Sequence, residues 1–207
     1  MKSLIFRLAK AAPFFLLLLL LPSCQTFEGE YTNPNETRIV DERWNETDAR
    51  KISEVLVSSM LNKPWLSRYK ALNQTRPIVV VDEIENRTHE HIDTKAISSS
   101  LRNELINSGQ IRFLNASQRS KILKEITYQT ESGMVDPTKA KKAGRQLGAG
   151  FMLSGYISSQ THQHPSLELR TVTYQTNLTL TNLESSEIEW SEQSQVKKTF
   201  RGSSVGW

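Results

Sequence analysis

Two stretches near the C-terminal end, Arg170–Leu183 (RTVTYQTNLTLTNL) and Glu187–Thr199 (EIEWSEQSQVKKT), alternate along their length and are separated only by Glu184-Ser185-Ser186. Alternation with period two marks a half-buried strand, and two such strands joined by so short a turn close as an antiparallel hairpin. A hairpin of this length is not stable alone. It needs further strands and a layer packed on its apolar face. Trp190 is expected on that inner face, and the Gln193–Lys198 stretch reads as a sheet edge blunted by Lys197 and Lys198.

The rest of the chain supplies those strands and that layer. Asp48 is expected to cap a helix with Ile52, Val55, Leu56, Ser59 and Met60 on one face, stopped by Pro64. Trp65, Leu66 and Tyr69 then dock the next segment onto the core. Pro77-Ile78-Val79-Val80-Val81 is apolar on consecutive residues, as in a central strand buried on both faces. After a loop around Asn86, Asp93 caps a helix with Ile97, Leu101, Leu105 and Ile106 inward, and Gly109 closes it. Ile111 to Leu114 reads as a strand. Ser117 opens a helix to about Gln129, with Ile122, Leu123 and Ile126 inward. Asp136-Pro137 pairs an N-cap with a proline at the first helical position of a helix ending near Gly148. Phe151 to Ser159 is a strand. The order β-α-β-α-α-β-β-β predicts an α/β fold with a single mixed β-sheet flanked by helices.

The N-terminal segment predicts where the chain lives. Lys2, Arg7 and Lys10 precede an apolar run from Ala11 to Leu21. As a helix that run reaches roughly 16 Å, about half of what a bilayer core of about 30 Å requires. It is therefore read as an export signal (residues 1–23), and Leu21-Pro22-Ser23-Cys24 resembles a lipobox, with Cys24 as the lipid-attachment residue. Cys24 is the single cysteine, so no disulfide can form within the chain. The covalent group expected on it is diacylglycerol plus an N-acyl chain, an anchor much firmer than one acyl chain. Gln25 in place of Asp resembles outer-membrane sorting. Residues 24–47 are polar and without period, a flexible tether ahead of a globular domain at 48–207. The residues after Cys24 and up to 47 span at most about 80 Å. Removing residues 1–23 takes away three basic residues and no acidic one, leaving 23 basic against 22 acidic. That balance, with export, argues against nucleic acid as a partner.

ENRTHEHIDT (85–94), LINSGQIRFL (105–114), LGAGFMLSGYISS (147–159) and YQTNLTLTNLESSEIEW (174–190), with RWNETD (43–48) and KPWL (63–66), together resemble the penicillin-binding protein activator LpoB family. Gly150 stands where the block LGAxFML leads one to expect Asp. The resemblance implies a fold like the N-terminal domain of TolB. It also implies a palmitate-bearing lipoprotein on the periplasmic face of the outer membrane, which binds and stimulates a bifunctional penicillin-binding protein and so regulates peptidoglycan synthesis. It brings no catalytic residue, no cofactor and no small-molecule substrate. The rival expectation is an envelope-assembly or secretion-scaffold lipoprotein with the same domain and no synthase partner.

Site chemistry in the sequence is sparse. Leu153-Ser154-Gly155 lacks a nucleophile elbow, no Gly-rich phosphate loop occurs, and the acidic residues are scattered. His89/His91 and His162/His164 fall two apart in predicted loops, with nothing to bring the pairs together on a metal. No metal site is expected. Asn86, Arg87, Thr88 and His91 are the candidate partner contacts. Arg87 can fork onto a partner carboxylate from a loop at the carboxyl end of a strand. The competing use of Asn86, Thr88 and Asp93 is to bond nearby backbone.

Overall fold

The computed structural model describes residues 29, 31–37, 39, 41–141, 148–164 and 169–201. The expected export signal, Cys24, Gln25, residues 142–147 of the helix expected after Pro137, and Trp207 lie outside the described residues. The chain divides between Glu36 and Thr37 into two units. In the first, Asn33 closes a small turn by accepting the Asn35 amide at 2.9 Å.

The second unit opens with two helices, α1 (Glu46–Asn62) and α2 (Pro64–Asn73). Asn45, not Asp48, is the cap of α1. Its side chain accepts the Asp48 amide, and the Asp48 carboxylate accepts the Asn45 amide in return, both at 3.1 Å. This capping box satisfies two of the free amides at the helix start. Ile52, Leu56 and Met60 are buried as expected, but Val55 is 50% exposed and Val57 takes its place inside. Pro64 does end α1, and it then serves as the first residue of α2, where its missing N–H costs nothing. Trp65 and Leu66 of α2 are buried, and Tyr69 packs against the core.

Strand β1 (Ile78–Arg87) follows, then α3 (Thr94–Asn107), β2 (Arg112–Leu114), a 3₁₀ turn (Ala116–Gln118), α4 (Arg119–Glu131), β3 (Phe151–His164), β4 (Leu169–Asn182) and β5 (Ile188–Arg201). The five strands form one mixed sheet in the order β2-β1-β3-β4-β5, with β1 parallel to β2 and β3 and the last three antiparallel. The α/β class and the single mixed sheet are as expected. β1 is an interior strand, but β3 is the middle one, and of the valine run only Val79 is buried. Helices α1 and α3 pack on one face, α1 along β5 and α3 along β1. On that face Tyr174, Leu178 and Leu180 of β4 and Trp190 of β5 are buried, with Phe151, Leu153 and Ile157 of β3. Alternation turns Thr173, Gln175, Asn177 and Thr179 to the opposite face.

Local departures follow in the next two helices and the turn after them. In α3, Asp93 caps by accepting the Ala96 amide at 3.0 Å, and Gly109 (φ +68°) ends the helix as expected. Ile106, however, is exposed, because the buried stripe is Ile97, Leu101 and Leu105. In α4 only Ile126 is buried, while Ile122 and Leu123 are 41% and 44% exposed. Ser117 caps nothing: its hydroxyl donates to the Asn115 side chain. Asp136 holds a turn at 137–139 by accepting the Thr138 amide and hydroxyl, and no helix follows through residue 141.

Gly155 is required where β3 meets β4. A Cβ there would stand 2.0 Å from the Asn177 carbonyl oxygen. It sits opposite Ile84 at the bulge that shifts the β1 register between Val81 and Ile84. At Gly150, by contrast, an added Cβ would meet nothing closer than Ile78 O at 4.0 Å, so this departure from the family block changes no packing.

Candidate partner-contact site

The sequence candidates gather where β1 ends. β1 runs on through Asn86 and Arg87, so these two close a strand and do not sit in the loop that was expected. Asn86 donates to the Glu90 carbonyl at 2.8 Å and accepts the Thr88 amide and hydroxyl at 3.0 and 2.8 Å. The Thr88 hydroxyl in turn accepts the Glu90 amide at 3.1 Å. These bonds use the polar atoms of Asn86 and Thr88 to fold residues 86–90 into a fixed turn.

Arg87 differs. Its guanidinium lies 4.0 Å over the Tyr156 ring of β3 and pairs with Glu85 at 2.6 Å, half exposed. The hydrogen bond from Arg87 holds the Glu85 carboxyl below the usual carboxylate range, and the same bond raises Arg87. An exposed pair of this kind contributes little to stability, so Glu85 can be exchanged for a carboxylate from outside. His91 is exposed and borders a recess walled by Arg43, Trp44, Glu46 and Glu90. His162 sits on β3 instead of in a loop. No group of three or more His, Cys, Asp or Glu among the described residues is arranged to hold a metal ion.

Sequence reading missed the base of this site. Residues 42–47, assigned to the tether, belong to the folded unit. Trp44 packs edge-on against Tyr174 at 5.3 Å between centroids, and its amide donates to the Glu90 carboxylate at 3.0 Å. The Tyr174 hydroxyl donates to the other Glu90 oxygen and lies 3.1 Å from the Glu42 carbonyl. Burial, then the hydrogen bond to Glu90, pushes the Tyr174 hydroxyl above its ordinary range. Arg170 pairs with Glu42 at 2.9 Å. Lys198 does not blunt the sheet edge. It turns inward to Asp48 at 2.7 Å, donates to the Arg43 carbonyl, and both side chains of the pair are within 4% of full burial. The one available signal was N-x-x-D at Asn45–Asp48, a capping-box spacing that dates the helix three residues earlier.

A second recess lies at the far end of the sheet. Phe151 makes edge-on contacts with Trp65 and Tyr69, and Leu72 and Leu183 are exposed at its rim. The exposed Arg68–Glu189 pair at 3.1 Å stands beside it.

Residues 48–196 match the family described as peptidoglycan-synthase activator LpoB. The chain belongs to the LpoB family. It is 25% identical over 121 residues to the penicillin-binding protein activator LpoB of Escherichia coli strain K12, covering 58% of this chain and 52% of that one. With the LpoB of Enterobacter sp. strain 638 it shares 21% over 170 residues, 82% of this chain and 71% of the relative. The chain thus spans about half the length of the Escherichia coli relative. Among solved structures, the LpoB C-terminal domain from Escherichia coli is similar at 18% identity with a TM-score of 0.41, covering 72% of this chain and 96% of that one. Lipoprotein GNA1162 from Neisseria meningitidis is similar at 16% and 0.36, covering 62% and 88%. Among the described residues, no helix is long and apolar enough to cross a membrane.

Proposed function

We propose that this chain is a lipid-anchored, non-enzymatic regulator that binds and stimulates a bifunctional penicillin-binding protein from the periplasmic face of the outer membrane. The observation that carries this reading is the LpoB family match, which runs from the capped start of α1 to β5 and so takes in nearly the whole folded unit. Regulation of this kind needs no catalytic group. A ligand shifts an equilibrium only by its differential affinity for two states, so the chain acts by binding the synthase more tightly in its active arrangement.

Arg87 and His91 are the side chains proposed to touch the partner, and Asn86 and Thr88 hold the turn that presents them. Cys24 carries the lipid. Because residues 42–47 belong to the folded unit, the chain between anchor and domain is shorter than 23 residues. Residues 25–40 extend to at most about 55 Å. The synthase must therefore present its docking surface within reach of that tether plus the depth of the folded unit.

The test uses the full chain in detergent with a purified bifunctional penicillin-binding protein from the same envelope. Binding is followed by co-sedimentation, and glycan polymerisation and cross-linking are followed by product analysis. Saturable binding with faster polymerisation, both weakened by Arg87→Ala, is the expected result. Absence of binding at low and high salt, with capture only of other envelope components, sinks the activator reading in favour of an assembly role.

A further inference from the structure

Five rungs of side chains cross the last three strands on the face of the sheet away from α1 and α3. They take the even positions of β3 from Ser154 to His162, the odd positions of β4 from Thr171 to Thr179, and the odd positions of β5 from Ser191 to Thr199. None of these side chains is buried. Thirteen of the fifteen carry a hydroxyl or a carboxamide, with His162 and Lys197 the exceptions. No carboxylate and no aliphatic side chain stands among them.

Solvent alone does not require such a face. In the chain as a whole 23% of residues are charged, and exposed sheet surfaces ordinarily carry charges of both signs that keep them soluble and apart. Here Lys197 is the one Lys, Arg, Asp or Glu. The array is also tied across strands: Gln195 donates to Gln175 at 3.0 Å, and the Thr171 and Thr199 hydroxyls meet at 3.2 Å.

Hydroxyls and carboxamides both donate and accept, and they exchange water for another neutral hydroxyl at little net cost. Charged groups covered by a neutral ligand lose their hydration at far greater cost. The chemistry of this face therefore fits a polyhydroxylated ligand, and the sheet face of the OB-fold takes oligosaccharides. Its dimensions fit a polymer. The first and last rungs are roughly 26 Å apart along the strands, and the three strands are roughly 10 Å across.

Charge at the borders narrows the ligand. Lys197 is exposed on the outermost strand and has no ion-pair partner among the described residues. With no carboxylate on the face to oppose it, Lys197 favours a glycan that bears carboxylates at intervals. On the other border the Arg87–Glu85 pair of β1 flanks Ser158 and Tyr156. The face thus adjoins the surface assigned to the synthase.

We propose that the outer face of β3, β4 and β5 binds the glycan strand of peptidoglycan, with Lys197 meeting a carboxylate of its stem peptides. The choice of this polymer among glycans rests on the reading of the chain as a regulator of a peptidoglycan synthase. The chain then holds a glycan strand beside the enzyme that extends it.

The test is co-sedimentation of the full chain, in detergent, with insoluble peptidoglycan sacculi and with sacculi stripped of stem peptides by an amidase. Saturable binding to both is expected. Gln175→Ala with Gln195→Ala should raise the dissociation constant by about 5- to 30-fold, as for the loss of two hydrogen-bonding groups. Gln193→Glu, an exposed change that sets a carboxylate on the face, should weaken binding with an unchanged melting midpoint. Lys197→Ala should weaken binding to whole sacculi and leave binding to stripped sacculi as it was. No saturable binding at low or moderate salt overturns the proposal. So does binding that ignores both the double variant and Gln193→Glu, or binding that vanishes on stripped sacculi. Synthase binding is measured separately on the same preparations. Its failure beside intact sacculus binding sinks the activator reading alone, and the reverse result sinks this inference alone.

Discussion

The segment 41–48 and helix α4 invert what their sequences suggest. The first is polar and aperiodic, yet it is bound to the inner side of the hairpin by Trp44 on Tyr174, Glu90 and a buried Asp48–Lys198 pair. The second has an apolar stripe at helical spacing, yet Ile122, Leu123 and Tyr128 remain exposed. An apolar pattern states that a helix has a face to bury. It does not state that a surface exists to receive it. Conversely, a polar segment is held wherever the fold places complementary charges within reach and away from water.

The sharpest way to break this contrast is Asp48→Ala. It leaves the Lys198 ammonium buried without its partner, and removing one member of such a pair costs about 3–5 kcal/mol. Urea unfolding should show a loss of this size. Asp48→Leu with Lys198→Met should be far milder, because no buried charge remains. If Asp48→Ala costs no more than a surface change, the segment is not held as described. In α4, Ile126→Ala should lose about 2 kcal/mol or more. Ile122→Ala and Leu123→Ala should each stay within about 0.5 kcal/mol, and equal losses at all three positions would erase the difference between the two regions.

A pH series tests the clamp from another side. The Tyr174 hydroxyl is raised above its ordinary value of 10.0 in the folded chain by burial and by Glu90. A raised value in the folded state means that the contribution is full below pH 10 and is lost as pH rises beyond it. Stability should therefore decline more steeply above that point in the natural chain than in Tyr174→Phe, as melting midpoints will show. The smallest expected effect is at Arg87. Its exposed pair with Glu85 contributes little, so Arg87→Ala should leave the melting midpoint nearly unchanged while weakening synthase binding. A large drop in midpoint would make Arg87 a structural residue.

Legibility followed the strength of local signals. Asp93, Gly109 and the Glu184–Ser186 turn mark element ends through backbone bonding within a few residues, and each stands where expected. The Asn86–Thr88 cluster is visible as polar, but its partner Glu90, between His89 and His91, carries no local signal of that role. Nothing local shows that one Glu90 oxygen meets Tyr174, 84 residues away. Lys198 reads, together with Lys197, as an edge charge. Period two sends adjacent residues to opposite faces, and which face holds Asp48 depends on how α1 lies on the sheet.

By itself the sequence determined the order of the strands, the cap at Asp93, the hairpin and the family, because these rest on periodicity and on residue types acting over one turn or one strand pair. The tertiary structure alone decided which apolar faces are covered, where the tether ends, and which charges are buried in pairs. Burial and charge pairing depend on distances between residues far apart in the chain, and those exist only once the sheet has formed.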